Sequence, residues 1–577
     1  MCLGTYYDFN YNIEERSQTI RNEILSGSYR ASKPIIFRLE KKFGVCRHLT
    51  IPQPSDALVL QVLTEALSVK VLKKQPSRNA FYSRDRHNMR HLHEIDEYGL
   101  DVKTQWKKMQ RSIYNFSESK ELLVVTDLSN YYDSIDLIEL RSIVAQLSEA
   151  NEVVIDLLFS IIEEISWRPD YLPYRARGLP TSNLEAIRLL AHSFLFELDE
   201  LIRKKSDNCF ARWMDDITIG VNSKREAVET ISSVSDVLKS RSLAINLSKT
   251  DIYDHEKANF NFLIEINREL DKFQDPDVYG YYYAGCGADF IRLFNEHLEK
   301  RDHRAKYWEK VLKRFITIFA TYRSHYLVDF IKDLYIEFPS VRTNLLYYLR
   351  KIGYNDKVAV LIIEILDDIA LYDDVSLFQI CELVTFWEVN INEEFSDNFL
   401  QTFEDKILSF SESKVNTTQF HFFCTIWFKT KYSHPEDFYD YIKKFQNLWQ
   451  RDNFLRRQVT CSLARIYTSS KKEEVKSLLQ AQISSGIMNV VSPAAQIVSF
   501  AKFKSLDKKL SSYLFYTNEH FPLSKFLVLC SVLNSSDIRN DHKNKEKIIR
   551  FVNDPYYLHW LNTQFNIKPL APITKPF

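Results

Sequence analysis

Glycine is scarce in this chain: 11 of its 577 residues are glycine, and only Gly353 and Gly486 follow Gly287. Hairpin turns and phosphate-binding loops depend on glycine, because it adopts positive φ and lets another group approach the backbone closely. The second half of the chain is therefore a poor candidate for a sheet, and it contains no GxxxxGK[ST] loop. We expect this half to be helical.

Two further features are missing. The eight cysteines include no CxxC pair, which argues against a zinc module and favours reduced thiols over a disulfide framework. No run of about 18 apolar residues is present, and the first residues carry no cationic-then-apolar signal. We therefore expect a soluble, cytoplasmic protein that does not use a membrane as a partner.

The chain also has no excess of positive or negative charge, because 76 Lys and Arg balance 76 Asp and Glu. This balance argues against a protein that coats nucleic acid with its whole surface. The distribution is uneven, however, with 20 basic against 14 acidic residues in positions 1–126. A basic N-terminal region suits a polyanion partner, although chance variation on a solvated surface explains it equally well.

Hydrophobic patterning predicts an α+β unit with an antiparallel sheet, between about residues 59 and 254. A short apolar strand begins at residue 121, and residues 208–223 predict two strands joined by a tight turn at Met214–Asp215. Helical spacing occurs in residues 59–72, 179–205 and 224–243, and a further strand is predicted over 244–254. From about Ala305 onward, successive helices of about 12–20 residues are separated by short polar breaks. This succession favours HEAT-like helical repeats, with an ordinary helical bundle as the alternative.

Three aspartates stand where strands are predicted to end. Asp127 follows the apolar run "ELLVVT", and Asp215 and Asp216 lie between apolar residues in "ARWMDDITIG". Burying unpaired carboxylates side by side costs on the order of several kcal/mol unless a cation neutralises them. Hard oxygen ligands bind Mg²⁺, and a pair of such ions is suited to phosphoryl transfer. An aspartate pair alone is more often a solvated helix cap, so the prediction rests on all three residues together.

Four segments carry a resemblance to a known family. In chain order, "TDLSNYYDSID", "RGLPTSNLEAIRLLA", "ARWMDDITIG" and "SLAINLSKTDIY" resemble palm motifs A, B, C and D of reverse transcriptases. Upstream, "RHLTIPQPSDALVLQVLTEAL" and "NAFYSRDR" are similar to the fingers of bacterial and group II intron enzymes, and "FNFLIEIN" to the primer grip. The resemblance covers roughly residues 30–300 of this sequence.

The resemblance implies roles for individual residues. Asp127, Asp215 and Asp216, with the backbone of Leu128, would hold two Mg²⁺ ions, with Mn²⁺ as an alternative, and Lys249 would donate a proton to the leaving pyrophosphate.

For the nucleotide, Tyr132 would exclude a ribose 2′-hydroxyl, which favours deoxynucleotides. Arg84, and more weakly Arg47, would contact the triphosphate, because a guanidinium binds phosphate oxygens in pairs. On a purely structural interpretation, Tyr132 and Lys249 are instead a core aromatic and a surface lysine.

The sequence departs from the family at two positions. Trp213 stands where motif C usually has Tyr or Phe, and it would still pack beside the primer end. Pro180 is followed by Thr181 and Ser182, where motif B usually continues with Gln and Gly. Since that segment lies beneath the incoming nucleotide in the family, this change bears on templated copying and leaves the metal chemistry intact.

Residues 300–323 carry eight Lys and Arg against two acids, interleaved with aromatic residues. In a polymerase this pattern suits a thumb helix along the nucleic-acid backbone, contacted by Lys310, Lys313 and Arg314. A charged helix face of the first helical repeat is the alternative.

A palm followed by a long helical region resembles the abortive-infection and unknown-group reverse transcriptases of bacterial antiphage defence. The predicted organisation is an N-terminal fingers region (1–120), a palm (121–270), a thumb-like connection (271–325) and a helical-repeat domain (326–577). The resemblance implies DNA synthesis from deoxynucleotides on an RNA template, or of single-stranded DNA, primed by a tyrosine such as Tyr6, Tyr7 or Tyr11. It also implies a homo-oligomer and leaves open a partner defence protein or a non-coding RNA.

Three alternatives stay open at this stage. The same palm would serve a template-independent, terminal-transferase-like synthesis, or it would be a catalytically inactive scaffold for the helical region. RNA synthesis is the third, and Tyr132 argues against it.

Overall fold

The N-terminal part of the protein combines helices with two small sheets, and the C-terminal part is helical. A computed structural model describes residues 3, 6–83, 102–169, 172, 176–273, 287–301, 304–368, 373–412, 418–516 and 520–568. The N-terminal elements are α1 Tyr7–Tyr11, α2 Ile13–Leu25, β1 Ile35–Lys42, β2 Val45–Ile51, α3 Pro54–Lys73, β3 Ala80–Phe81, α4 Val102–Ser119, β4 Leu122–Thr126, α5 Tyr131–Ser134, α6 Leu137–Ser148, α7 Glu152–Ile165, α8 Glu185–Phe194, α9 Phe196–Lys205, β5 Phe210–Trp213, β6 Asp216–Val221, α10 Lys224–Ser240, β7 Asp251–Tyr253, α11 His255–Phe262 and α12 Ile264–Phe273.

The larger sheet has five strands in the order β3-β5-β6-β4-β7. Strand β3 is parallel to β5, and the other neighbours are antiparallel. Strand β4, "LLVVT", lies between β6 and β7, and its side chains are buried on both faces of the sheet, since successive side chains point to opposite sides. Val124 belongs to a core beneath helices α3 and α6–α10, whereas Leu123 and Val125 belong to a second core beneath α4 and α11. The sheet is therefore held between two helical layers.

Strands β1 and β2 form a separate antiparallel hairpin that pairs Ile35 with Ile51. Its turn contains Phe43 and Gly44, which both have positive φ (52° and 76°). A turn with two positive φ angles matches the right-handed twist of the flanking strands, and glycine adopts this conformation without a steric penalty. This hairpin is called the cationic hairpin below, because Arg38, Lys41, Lys42 and Arg47 lie on it.

The C-terminal part contains no strand among the residues described from 287 onward. One continuous core joins its helices from Phe290 to Ile567, and it also takes in Leu3, Tyr7 and Leu270 from the N-terminal part. The helices are α13 Ala288–Glu299, α14 Trp308–Tyr322, α15 Ile331–Glu337, α16 Arg342–Ile352, α17 Asp356–Asp368, α18 Asp374–Phe386, α19 Glu394–Glu412, α20 Thr418–Tyr432, α21 Pro435–Lys444, α22 Gln446–Trp449, α23 Asn453–Ile466, α24 Lys472–Ile483, α25 Met488–Phe500, α26 Lys508–Phe515, α27 Leu523–Leu533, α28 Ser536–Asn540, α29 His542–Phe551 and α30 Pro555–Phe565.

The predicted helical character of this half is confirmed, while the assignment to HEAT-like repeats stays a prediction. Within the residues that the structure covers, none of the helices combines the length and the apolar character needed to cross a bilayer.

Two secondary-structure predictions are wrong in detail. The single helix predicted over 179–205 is two helices, α8 and α9, preceded by an extended segment. Tertiary hydrogen bonds hold that segment extended: the Gly178 and Leu179 N–H groups donate to the carbonyls of Ile135 and Tyr132, each at 2.8 Å. The strand predicted over 244–254 shrinks to β7, because the chain makes a 3₁₀ turn at Leu247–Lys249 just before it.

Candidate active site

The three aspartates lie at one end of the larger sheet. Strand β4 ends at Thr126, and Asp127 is the next residue. Thr126 pairs with Ile217 of β6, so extending this antiparallel register by one residue brings Asp127 opposite Asp216. Residues opposite each other in such a ladder have Cα atoms about 4.5–5.5 Å apart. The fold therefore brings together carboxylates that are almost 90 residues apart in sequence.

The turn between β5 and β6 carries Asp215 and is tight, as predicted. Trp213 pairs directly with Asp216, which leaves Met214 and Asp215 as a two-residue loop. Met214 has a φ of 55°, a left-handed conformation that costs a residue with a side chain of order 1–3 kcal/mol. Surrounding contacts must hold this backbone in place.

Arg212 supplies such a contact from within β5. Its Nη1 donates to the Met214 carbonyl at 3.0 Å, and its Nε and Nη2 each donate to the buried carboxylate of Asp199 at 2.6 Å. Both side chains are completely buried. Arg212 therefore ties the β5–β6 turn to helix α9.

A histidine completes this network. Burial, together with the Arg212 charge, holds the pKa of His192 well below its usual range, so the ring is neutral. Its Nδ1 accepts from Arg212 Nη2 at 3.3 Å, and its Nε2 then donates to Gln75 Oε1 at 3.0 Å. Sequence reasoning missed these residues, although a charged Arg212 inside an apolar strand is itself a signal that a buried partner exists.

Two lysines neutralise part of the carboxylate cluster. Lys249 Nζ contacts Asp127 Oδ2 at 2.6 Å, and Lys310 Nζ contacts Asp216 Oδ2 at 3.4 Å. Asp215 keeps excess negative charge around it: burial, together with the charges of Asp127 and Asp216, raises its pKa to about 6. Burial alone would lower the pKa of Lys249, but its bond to Asp127 raises it, so the ammonium stays protonated at neutral pH.

A pocket of about 490 Å³ opens beside these aspartates. Seven of the sequence-predicted site residues line it: Arg47, Asp127, Leu128, Tyr132, Pro180, Asp215 and Lys249. They come from five separate stretches of the chain: the cationic hairpin, the residues after β4, the segment before α8, the β5–β6 turn and the 3₁₀ turn after α10. A volume of this size is in the range of pockets that hold a small organic ligand.

The cationic hairpin contributes another part of the pocket lining. Lys41 and Arg47 both line the pocket, and Arg47 was predicted whereas Lys41 was not. Burial and the nearby charges of Arg47 and Lys249 lower the pKa of Lys41. Three cations thus lie around a pocket that also contains carboxylates, and this arrangement can bind a polyanion such as a triphosphate.

The remaining side of the pocket combines Tyr132 with the extended segment around Pro180. The Tyr132 carbonyl accepts from the Leu179 N–H, and the Thr50 N–H donates to the Thr181 carbonyl at 2.9 Å. These bonds join the segment to helix α5 on one side and to the cationic hairpin on the other. Burial and the Asp215 charge raise the pKa of Tyr132 to about 12, so its hydroxyl is neutral.

Trp213, Asp216, Lys310, Lys313 and Arg314 do not line this pocket. Trp213 packs edge-to-face on Trp106, with ring centroids 5.4 Å apart, and Lys310 lies over the Trp106 ring at 4.6 Å. Burial lowers the pKa of Lys313. Arg84 lies outside the described residues.

Arg314 lies instead at a second cavity of about 330 Å³, between α4, α12 and α14. It donates to Asn267 Oδ1 at 2.7 Å and to Asp271 Oδ1 at 2.8 Å. The predicted primer-grip segment borders the same cavity through Phe262, Ile264 and Asn267, and it is helical. Its cationic residues are Lys107, Arg111, Arg268 and Arg314.

The donor set of the main pocket matches the ligands of Mg²⁺, since carboxylate and carbonyl oxygens are hard donors. In the described parts of the chain, however, no three His, Cys, Asp or Glu side chains are arranged to hold one ion. Lys249 and Lys310 occupy two of the carboxylates instead. A divalent cation that binds these carboxylates would therefore displace the ammonium groups of the two lysines.

Part of the chain matches a known protein family. Residues 60–264 match the family model of reverse transcriptase (RNA-dependent DNA polymerase). The match contains Asp127, Asp215, Asp216 and Lys249, whereas β1, β2 and the C-terminal helices lie outside it. Such a domain implies RNA-directed nucleotidyl transfer in general.

Solved structures similar to this chain include telomerases. Apo telomerase from Candida tropicalis is 13% identical, with a TM-score of 0.30 and coverage of 69% of each chain. Telomerase from Candida albicans in complex with a fragment of telomeric RNA is 11% identical, with a TM-score of 0.31 and coverage of 66% of this chain and 71% of that one. No curated protein sequence matches the chain.

Proposed function

We propose that the main pocket is the active site of a reverse-transcriptase-type DNA polymerase. The observation that carries this proposal is the convergence, inside the matched domain, of Asp127 and Asp215 with Lys249 and Tyr132 in one pocket. Arg47 and Lys41 face them from the cationic hairpin. Acidic and basic groups around one pocket suit a substrate that brings both a metal-binding triphosphate and a reacting hydroxyl.

Each residue has a task in the proposed reaction. Lys41 and Arg47 bind the triphosphate, Tyr132 lies against the sugar, and the Pro180 segment supports the base. A 3′-hydroxyl, or a tyrosine hydroxyl at initiation, attacks the α-phosphate and passes its proton to solvent water as the new phosphodiester bond forms. The bond to the β-phosphate breaks, and Lys249 donates a proton to the leaving pyrophosphate.

Asp127, Asp215 and Asp216, together with the backbone of Leu128, would hold two Mg²⁺ ions, with Mn²⁺ as an alternative. When bound, such ions stabilise the charge that develops on the attacking and leaving oxygens. The raised pKa of Asp215 supports this role, because it reports a cluster with more negative charge than its two lysines neutralise.

We propose that the nucleic-acid strand to which nucleotides are added lies along α14 and the second cavity. The four cations of that cavity surround an apolar floor of Ile113, Phe262, Ile264 and Tyr307. Nucleic-acid phosphates suit these four cations. Lys310 and Lys313, on the same helix as Arg314, extend this surface toward Asp216.

Untemplated, terminal-transferase-like synthesis is a second candidate. It is favoured by the Pro180 segment, in which Thr181 and Ser182 replace the Gln and Gly typical of templated enzymes. An inactive scaffold is disfavoured, because Asp215 would then retain a buried, repelled carboxylate without use. A role in antiviral defence, with assembly into a homo-oligomer and a possible protein or RNA partner, rests on the reverse-transcriptase domain being followed by a long helical region.

The test is incorporation by purified protein. With Mg²⁺ and deoxynucleotides, we expect DNA synthesis that depends on added RNA, with a product complementary to it. A product of unrelated sequence that forms equally without RNA would support the untemplated candidate. Digestion with protease and with DNase, followed by sequencing of any DNA left on a peptide, would identify a tyrosine primer. Absence of incorporation under all these conditions would contradict the proposal.

Replacement of Tyr132 by alanine should weaken sugar discrimination. Without the ring, a ribose 2′-hydroxyl fits the pocket, so we expect the ratio of kcat/KM for deoxynucleotides over ribonucleotides to fall by roughly 10–200-fold. Single-turnover incorporation of matched nucleotide pairs measures this ratio. Tyr347→Ala is the control, because Tyr347 is half-exposed on α16. An unchanged ratio in the Tyr132 variant would contradict the role assigned to this ring.

A further inference from the structure

The cationic hairpin supplies part of the lining of the active-site pocket, but a hairpin alone does not fix its position relative to the rest of the pocket. A two-stranded hairpin is marginally stable at best in water and needs a packed face. Its strands pair only with each other in the described structure, so no strand of the larger sheet anchors them. On the side of the pocket, the hairpin is held by the Thr50–Thr181 backbone bond and by the stack of His48 on Trp167, with ring centroids 4.5 Å apart. Its remaining anchors lie on the C-terminal helices.

The packed face of the hairpin lies on the C-terminal helices. Phe37, at the centre of β1, is 1% exposed. Its ring packs edge-to-face on Phe420 of α20 and Phe454 of α23, with centroids 5.1 and 5.9 Å away. The hairpin is thus anchored on residues that follow it by nearly 400 positions.

Arg38, the next residue, is bound by an aspartate of α18. The Arg38 side chain donates through Nε and Nη2 to the two carboxylate oxygens of Asp374, at 2.9 and 2.7 Å. The Arg38 backbone N–H also donates to Asp374 Oδ2, at 2.9 Å. A paired guanidinium contact plus a backbone bond fixes orientation as well as distance.

Glu40 connects the tip of the hairpin to the same helices. One carboxylate oxygen accepts from the Gly44 N–H in the turn at 2.8 Å, and the other accepts from Arg342 Nη1 at 2.7 Å. Arg342 is 6% exposed, and it also contacts Asp373 at 2.8 Å and the Tyr335 carbonyl at 2.8 Å. Glu40 immediately precedes Lys41, and its neighbour Leu39 pairs with Arg47 across the hairpin.

We infer that the C-terminal helical region positions the nucleotide-binding wall of the active site, through Asp374 on Arg38 and Arg342 on Glu40. This inference rests on the proposed function. It adds a task for the helical region: Glu40, Arg342 and Asp374 are positioning residues that touch no substrate and keep Lys41 and Arg47 at the distance a triphosphate requires.

Two conservative variants test the inference, Glu40→Gln and Asp374→Asn. Each keeps the size of its side chain and removes the charge that binds the arginine. We expect each to raise the dATP Kd, measured by calorimetry, and the KM for deoxynucleotides by about tenfold, the equivalent of about 1.4 kcal/mol. The kcat should change by less than about threefold, because the aspartates and Lys249 are untouched.

Hydrogen exchange separates positioning from general damage. In both variants the amides of residues 35–51 should exchange faster, whereas those of β4, β5 and β6 should not change. Asp554→Asn is the matched control, because it breaks a buried ion pair of the helical region, Lys431–Asp554 at 2.5 Å. This pair lies at the C-terminal ends of α18 and α20, whereas Asp374 and Phe420 lie at the N-terminal ends of these helices. This control should leave the dATP Kd and the exchange of residues 35–51 at their wild-type values.

Several results would overturn the inference. One is an unchanged dATP Kd in Glu40→Gln and Asp374→Asn, and another is an equal loss in Asp554→Asn. A wild-type protein that binds dATP through the hairpin but incorporates no nucleotide would instead contradict the proposed polymerase while leaving this inference standing.

Discussion

Asp215→Asn should reduce nucleotide incorporation by about a thousandfold or more, the equivalent of roughly 4 kcal/mol in the activation barrier. The amide of asparagine cannot supply the negative charge that a divalent cation needs, while the shape of the side chain is kept. Asp215 lies at the tip of the β5–β6 turn and lines the same pocket as Asp127 and Lys249. The measurement is single-turnover incorporation with Mg²⁺ present.

The same variant should be more stable than the wild type. The pKa of Asp215 is raised from 3.8 to about 6 in the folded chain, so the ionised form is disfavoured there relative to the unfolded chain. Above pH 6 the carboxyl is ionised in both states, so the full cost of ionising it in the folded chain is present. Asp215→Asn removes this cost and should raise the free energy of unfolding by up to roughly 3 kcal/mol. The gain should shrink as the pH falls from 6 and vanish below 3.8, because the wild-type carboxyl becomes protonated first in the folded chain and then in the unfolded chain.

Urea unfolding in EDTA, at pH 7 and again at pH 4.5, measures this effect. Asp236→Asn is the control, since Asp236 is an exposed aspartate of α10, and we expect no change in activity or stability. Loss of activity together with loss of stability in Asp215→Asn would mean that the carboxylate is structural. Activity equal to that of the wild type would end the polymerase proposal.

Local patterns in the sequence predicted the elements that carry the aspartates. The apolar run before Asp127 predicts strand β4, and the two apolar stretches around Asp215 predict strands β5 and β6 and the tight turn between them. These elements could be predicted because each one is encoded by a few neighbouring residues. The helical character of the C-terminal half also follows from local properties, namely helical spacing and the scarcity of glycine.

Contacts between distant segments could not be predicted in this way. Pro180, Thr181 and Ser182 have the composition of a helix start, yet hydrogen bonds from Thr50 and to Tyr132 keep this segment extended. Lys41 lines the pocket because the hairpin is anchored on α18 and α20. These helices are more than 300 residues away in sequence, and no sequence pattern near Lys41 indicates that the hairpin packs on them.

Arg212→Met should lower the free energy of unfolding by about 3–5 kcal/mol, because it leaves the carboxylate of Asp199 buried without a partner. The matched control is Arg225→Met, because the ion pair of Arg225 with Glu229 is exposed and we expect no measurable change in the free energy of unfolding.

Adding Asp199→Leu to Arg212→Met separates the two tasks of the arginine. Removing both charges should restore most of the lost stability, since apolar side chains replace a buried ion pair at little net cost. Incorporation should stay low, because the Met214 carbonyl still lacks its donor and the left-handed backbone that presents Asp215 is no longer held. Urea unfolding and single-turnover incorporation, measured on both variants, distinguish these effects. If activity returned together with stability in the double variant, Arg212 would matter only as the counter-charge of Asp199 and would have no part in shaping the β5–β6 turn.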